Sequence, residues 1–129
     1  MGDRAMFKHE RLDVWQEAIQ FVCDVYLKTR SFPTDERFGL TNQVRRSSNS
    51  VAANIAEGCS RSSDKEYIRY LAIASASLAE TLSHLEVALR LKFLSPEDHQ
   101  SLRQPAERIG RMLSGLRTSL ERSLSGPRP

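Results

Sequence analysis

The sequence predicts an all-α protein, an antiparallel up-down-up-down four-helix bundle, and three observations carry that prediction. The apolar residues Ile68, Leu71, Leu78, Leu82, Leu85 and Leu89 step by threes and fours, with Ser75 at the one small place. This is a seam for knobs-into-holes packing, and no strand produces it. The residues between them are small (Ala72, Ala74, Ala76, Ser77, Ala79), so neighbouring backbones can approach on more than one side. Turn and cap signals then divide the chain into helices at about 13–29, 35–57, 64–92 and 96–124, joined by short loops.

The first helix carries two apolar stripes. Leu12, Trp15, Ile19, Val22 and Tyr26 form one seam; Val14, Ala18, Phe21 and Val25 form another, rotated from it. A surface helix of a small domain ordinarily has a single apolar face. The second stripe is therefore assigned to contact with another copy of the chain, the alternative being one wide core face. Cys23, on the same apolar surface, is read as core filler.

Pro33 closes that region, because the residue before proline avoids the helical basin. Thr34 is expected to cap the second helix, with Asp35 and Glu36 in its positive first turn. Phe38, Leu40, Val44, Val51 and Ile55 supply its bulk. Ser47, Ser48, Ser50, Ala52, Ala53 and Ala56 make it thin, and Gly58 is expected to end it in a left-handed turn.

Ser63-Asp-Lys-Glu66 reads as a capping box opening the third helix. Ser95 and Pro96 open the fourth as cap and first helical residue. Leu102, Ala106, Ile109, Leu113, Leu116, Leu120 and Leu124 form its seam, and Pro105 within it predicts a kink or a break. The bundle should occupy residues 12–124, between a flexible N-terminus at 1–11 and a disordered tail at 125–129.

Length and composition suit one soluble domain of 129 residues. No apolar run approaches the ~20 residues that cross a bilayer, and the first residues are too polar for a secretory leader. The expectation is a cytoplasmic protein with no membrane role. Net charge is +3, which permits nucleic-acid binding without demanding it.

Catalytic signatures are missing from the sequence, so the expectation is no enzyme, no cofactor, no metal and no small-molecule substrate. His9, His84 and His99 make no recurring Glu-x-x-His pair, and Glu80 with His84 reads as a surface hydrogen bond. Three polar features stand out. Arg45 and Arg46 are adjacent in mid-helix, ~100° apart, so one is expected to pair with an acid while the other faces solvent. Arg61, Lys65 and Arg69 are spaced by four, a cationic row able to track phosphates. Asn54, Glu57 and Gly58 form a polar motif beside alanines, read as a structural network with Asn54 and Glu57 hydrogen-bonded one turn apart.

These residues also carry a resemblance. Leu12-Asp-Val-Trp-Gln16, Phe32-Pro33, Phe38-Gly-Leu40 with Gln43, Arg45-Arg46, Ser50-Val51, Asn54-Ile-Ala-Glu-Gly58, Arg61, Ser63, Glu66-Tyr67 and Ser77-Leu78 occur in order. The pattern resembles the bacterial four-helix-bundle family found as reading frames inside intervening sequences of 23S ribosomal RNA genes. The resemblance covers about Phe7 to Leu120. It implies an antiparallel bundle that assembles as a ring-shaped homopentamer. It further implies a similarity in fold to the accessory protein of diversity-generating retroelements, a basic pentamer that works with a reverse transcriptase and RNA. This chain departs from the family pattern at Leu82, His84 and Pro105.

Two readings of function follow. In the first, a homo-oligomer binds RNA or another structured nucleic acid through Arg45, Arg46, Arg61, Lys65 and Arg69. In the second, the assembly is a protein-interaction scaffold and the arginines are structural. An enzyme or ligand carrier is the remaining, weakest reading.

Overall fold

A computed structural model describes residues 7–126. Four helices make up the bundle: α1 (Asp13–Thr29), α2 (Leu40–Cys59), α3 (Asp64–Arg90) and α4 (Pro96–Leu124). Each packs on its neighbours in the chain, α1 closes against α4, and the α2–α3 contact is the most extensive. Cross-helix pairs run in opposite directions. Lys28 meets Asp98 and Glu17 meets Arg108 between α1 and α4. Ser50 meets Ser77 and Ser47 meets Thr81 between α2 and α3. No strand occurs among the described residues, and no helix is long and apolar enough to cross a membrane.

The core is built from Phe21, Val25, Val44, Val51, Ile55, Leu71, Leu85, Leu102, Ile109 and Leu113, all fully buried. Burying each such side chain stabilises the fold by about 1.5–3 kcal/mol before chain entropy is counted. Both serines, Ser63 and Ser95, cap their helices as predicted, but the box at Ser63 is half formed, since the Glu66 carboxylate turns to Arg69. Ser63 accepts from the Glu66 amide at 3.2 Å, and Ser95 accepts from the Asp98 amide at 3.1 Å.

The two stripes of α1 exchange roles relative to expectation. Val14, Ala18, Phe21 and Val25 face the bundle interior and are at most 5% exposed. They are core, not a surface for another subunit. The other seam is the one left uncovered: Ile19 and Tyr26 are exposed, and Trp15 and Val22 are half-buried. Cys23 also lies outside the core; the buried cysteine is Cys59.

The entrance to α2 differs as well. Thr34–Glu36 form a separate 3-10 turn, and Thr34 does not cap the helix. The cap comes from Glu36, whose carboxylate accepts from the Leu40 amide at 3.0 Å. The chain turns out at Gly39 (φ −108°, ψ −114°), so helix α2 starts at Leu40 and Phe38 is thrown into solvent at 82% exposure. Phe38 is therefore not part of the bulk of α2.

Gly58 lies inside α2, not beyond it, and has no left-handed conformation. Its reason is close approach. A Cβ there would sit 2.7 Å from Tyr70 Cβ and 3.1 Å from Tyr67 Cδ1. Helix α3 ends at Arg90 because Lys92 adopts φ 64°, which returns the Phe93 and Leu94 amides to the Ala88 carbonyl. Helix α4 is not divided at Pro105, where a kink or a break was expected.

At the N-terminus, Lys8–Arg11 form a 3-10 turn where flexible chain was expected. The His9 ring meets the Trp15 ring edge-on at 4.8 Å. Ser125 ends α4 in a turn. The rest of the expected flexible termini, 1–6 and 127–129, lies outside the described residues.

One pair of glycines gives a direct check. Gly58→Ala forces α2 and α3 apart and should destabilise the protein by about 1–3 kcal/mol. Gly115→Ala, on open helix surface with nothing within 4 Å, should stabilise it by about 0.5–1 kcal/mol. Urea unfolding of the two variants decides; shifts of the same sign would contradict the close-approach account.

Candidate nucleic-acid interface

The polar groups between α2 and α3 form a ladder. Asn54 Nδ2 donates to Ser50 O at 2.8 Å and lies 3.0 Å from Ser50 Oγ. Ser50 Oγ is 2.8 Å from Ser77 Oγ. Thr81 Oγ1 is 2.7 Å from Ser47 Oγ and 2.8 Å from Ser77 O. Ser47, Ser77 and Thr81 are buried, and these mutual bonds supply the partners that burial demands. Asn54 therefore serves a structural network, but Glu57 does not share it. Glu57 points outward on the next flank of the helix and accepts from Arg61 Nη2 at 2.8 Å.

Arg61 does not lie on α3, so the expected row of three along one helix is not formed that way. Arg61 is in the α2–α3 turn, and a tyrosine brings it to Arg69. Its guanidinium lies 4.9 Å from the Tyr70 ring centre and donates to the Tyr70 hydroxyl at 2.9 Å. Arg69 also approaches that ring, at 5.3 Å, and reaches Glu66 at 3.8 Å. Lys65, one turn before Arg69, is exposed and makes no ion pair with a described residue. The cluster thus gathers two arginines around one aromatic ring, each with a carboxylate partner, and Lys65 stands one turn away.

Arg45 and Arg46 diverge, as adjacent helical residues must. Arg45 is half-buried against α1, and its partners are a hydroxyl and a ring where an acid was expected: its Nε donates to Thr29 Oγ1 at 2.9 Å, and its guanidinium stacks 4.6 Å from the Tyr26 ring centre. Arg46 is exposed and lines a polar groove of about 420 Å³ with Phe38, Asn42, Gln43, Ser50 and Glu80. Glu80 also meets His84 at 3.2 Å, the surface hydrogen bond expected from their spacing.

Arg45 belongs to a second constellation that sequence reading missed. A pocket of about 180 Å³ at the α1–α2 junction is lined by Thr29, Arg30, Phe32, Pro33, Thr34, Arg37, Thr41 and Arg45. No acidic residue lines it. Of its three arginines, the sequence singled out Arg45 alone. Arg30 and Arg37 flank Pro33 in sequence, but only the turn at 34–36 folds them toward Arg45. Nothing in helical spacing signals that. Tyr70 was missed for a plainer reason: it reads as ordinary helix surface.

The buried Cys59 sits against Tyr67 beneath the Arg61 cluster. Burial, with the neighbouring sulfur adding to it, pushes the Tyr67 phenol well above its ordinary range.

The sequence matches the 23S rRNA-intervening sequence protein family over residues 10–115. The chain belongs to that family. The matched residues run from the first 3-10 turn through most of α4, and so include both basic constellations. Its fold resembles the crystal structure of a protein of unknown function from the S23 ribosomal protein family of Bacteroides thetaiotaomicron. The TM-score is 0.76, the identity 24%, and the likeness covers 81% of this chain and 95% of that one. This establishes the shared bundle fold. No curated protein matches the chain.

The phenol yields a pH prediction. A group whose pKa is raised by folding contributes stability that is whole below its unfolded pKa, ~10 for tyrosine, and lost as pH rises beyond it. Between pH ~9 and ~11, Tyr67→Phe should therefore lose less unfolding free energy than the parent. Parallel losses in denaturant titrations would show that Tyr67 does not contribute.

Proposed function

We propose that this member of the family is a non-catalytic, cytoplasmic homo-oligomer that binds RNA or another structured nucleic acid through its phosphates. The observation that supports this best is where cations gather without acids. Arg30, Arg37 and Arg45 line one pocket whose wall holds no acidic residue, and Arg46 and Lys65 are exposed and make no ion pair with a described residue. Such cations neutralise backbone phosphates and read little sequence. The family's association with an intervening sequence of 23S rRNA is in keeping with an RNA ligand. The resemblance adds a homopentamer as the expected assembly, and a reverse transcriptase or rRNA element as its working context.

Assembly is supported by the uncovered seam of α1. Ile19, Tyr26 and the neighbouring Leu27 are exposed, beside half-buried Trp15 and Val22. The thin outer face of α2 at Asn49 and Ala53, both exposed, leaves this flank open to a second copy. Repetition of a weak basic patch around a ring raises avidity without new contacts. The scaffold reading draws on a different observation, that Arg45 and Arg61 already spend part of their donor sets on Thr29, Tyr26, Glu57 and Tyr70.

Two measurements test this. Fluorescence anisotropy against a structured RNA should give an affinity that falls steeply between ~50 and ~300 mM salt. The Lys65→Ala/Arg69→Ala variant should weaken it by roughly tenfold or more. Absence of binding at the lowest salt would favour the scaffold. Separately, Ile19→Glu should reduce the particle mass seen by light scattering. An unchanged mass would remove the α1 seam from the interface.

A further inference from the structure

We propose that the pocket at the α1–α2 junction is a seat for one phosphate group, held by Arg30, Arg37 and Arg45 with the Thr41 hydroxyl. This rests on the nucleic-acid reading for the source of the phosphate and names the place where that ligand is gripped.

Three independent observations converge on it. The first is charge: three arginines line a pocket with no carboxylate in its wall. The nearest acids in the chain are Asp35 and Glu36, and the Glu36 carboxylate is already committed to the Leu40 amide. Guanidinium forks match phosphate oxygens in geometry as well as in charge.

The second is an orphaned hydroxyl. Thr41 is 7% exposed, its Oγ1 has no hydrogen-bond partner among the described residues, and it belongs to the pocket wall. Buried hydroxyls are normally satisfied; this one is unpaired and closed to solvent within the wall of a cationic pocket, where an anion that drew the wall open by a small side-chain shift would give it a partner. The contrast with the ladder of Ser47, Ser77 and Thr81 is direct, since there every buried hydroxyl is paired.

The third is position. Thr41 stands in the first turn of the 20-residue helix α2, where the helix dipole favours negative charge. The volume of about 180 Å³ is several times the ~30 Å³ share of a water molecule, enough for a phosphate group and its substituent.

The arginines are also prepared for the task. Arg45 is fixed by Tyr26 and Thr29 and needs no further ordering. Arg37 rests on the exposed Phe38 ring, 4.8 Å from its centre. Arg30 follows the end of α1 and is exposed.

The test uses the full chain. Inorganic phosphate is titrated by calorimetry at constant ionic strength, with chloride as the balancing anion. The parent should show saturable binding, and Arg30→Gln/Arg37→Gln should weaken it by roughly tenfold or more. Thr41→Val should weaken phosphate binding while melting at or above the parent temperature, because it removes an unpaired hydroxyl. A phosphate response no greater than chloride's, or one equal in parent and variants, overturns the seat.

A short RNA with and without a 5′-phosphate then separates the sources. Better binding of the phosphorylated form, erased in the arginine variant, assigns the seat to a strand end. Equal binding of both forms, weakened together, assigns it to an internal phosphodiester. If RNA binding survives Arg30→Gln/Arg37→Gln but is lost in Lys65→Ala/Arg69→Ala, the seat fails and the nucleic-acid reading stands. If phosphate binds at the pocket and no RNA binds at all, the seat stands and the nucleic-acid reading fails.

Discussion

The close approach of α2 to α3 is the constraint on which the other features depend. At Gly58 the helices leave no room for a methyl group, since Tyr70 Cβ would lie 2.7 Å from it. Helices this near cannot hide bulky side chains between them, so the contact is filled by serine, threonine and alanine. Those hydroxyls must then bond to one another or leave buried polar atoms unsatisfied. The ladder from Asn54 through Ser50 and Ser77 to Thr81 and Ser47 meets that demand. A core of pure leucine would be greasier but less particular about register.

The same closeness sets where the cations stand. Because α2 is thin, Arg45 can lie flat against α1 while Arg46, its neighbour, is turned to solvent. Because Gly58 admits Tyr70, the α2–α3 turn can hang Arg61 on that ring. The two basic regions are thus consequences of packing, each arranged around a tyrosine. Tyrosine suits the role: its ring face attracts guanidinium and its hydroxyl accepts a hydrogen bond.

How much of this the sequence disclosed depends on the range of the interaction. Helices α1 and α4 were legible to the residue, and α3 to within two, because three-four spacing and serine caps are local signals. The boundaries of α2 were less legible. Its start is set by a Glu36 side chain reaching Leu40, and Gly58, which reads as a helix end, is placed inside the helix by what it meets on another one. The stripes of α1 were both visible, but composition could not say which faced inward. Val14, Ala18, Phe21 and Val25 won because they present the rounder, wholly apolar surface, whereas Trp15 and Tyr26 have polar atoms to keep near water. Of the basic residues, the divergence of Arg45 from Arg46 was readable from helical geometry. The meeting of Arg30, Arg37 and Arg45 was not, because a short turn between two helices creates it.

The antiparallel path places these two basic regions at opposite ends of α2. Arg45 and Arg61 are sixteen residues apart, a rise of about 24 Å if the helix continued through both. Along one strand of a duplex, at ~3.4 Å per step, that distance corresponds to about seven nucleotides. A polyanion that touches both regions of one subunit must therefore lie lengthwise, parallel to the helix axes, whereas one that crosses the bundle meets a single region. The long axis of the protein is, in effect, a ruler laid against its ligand.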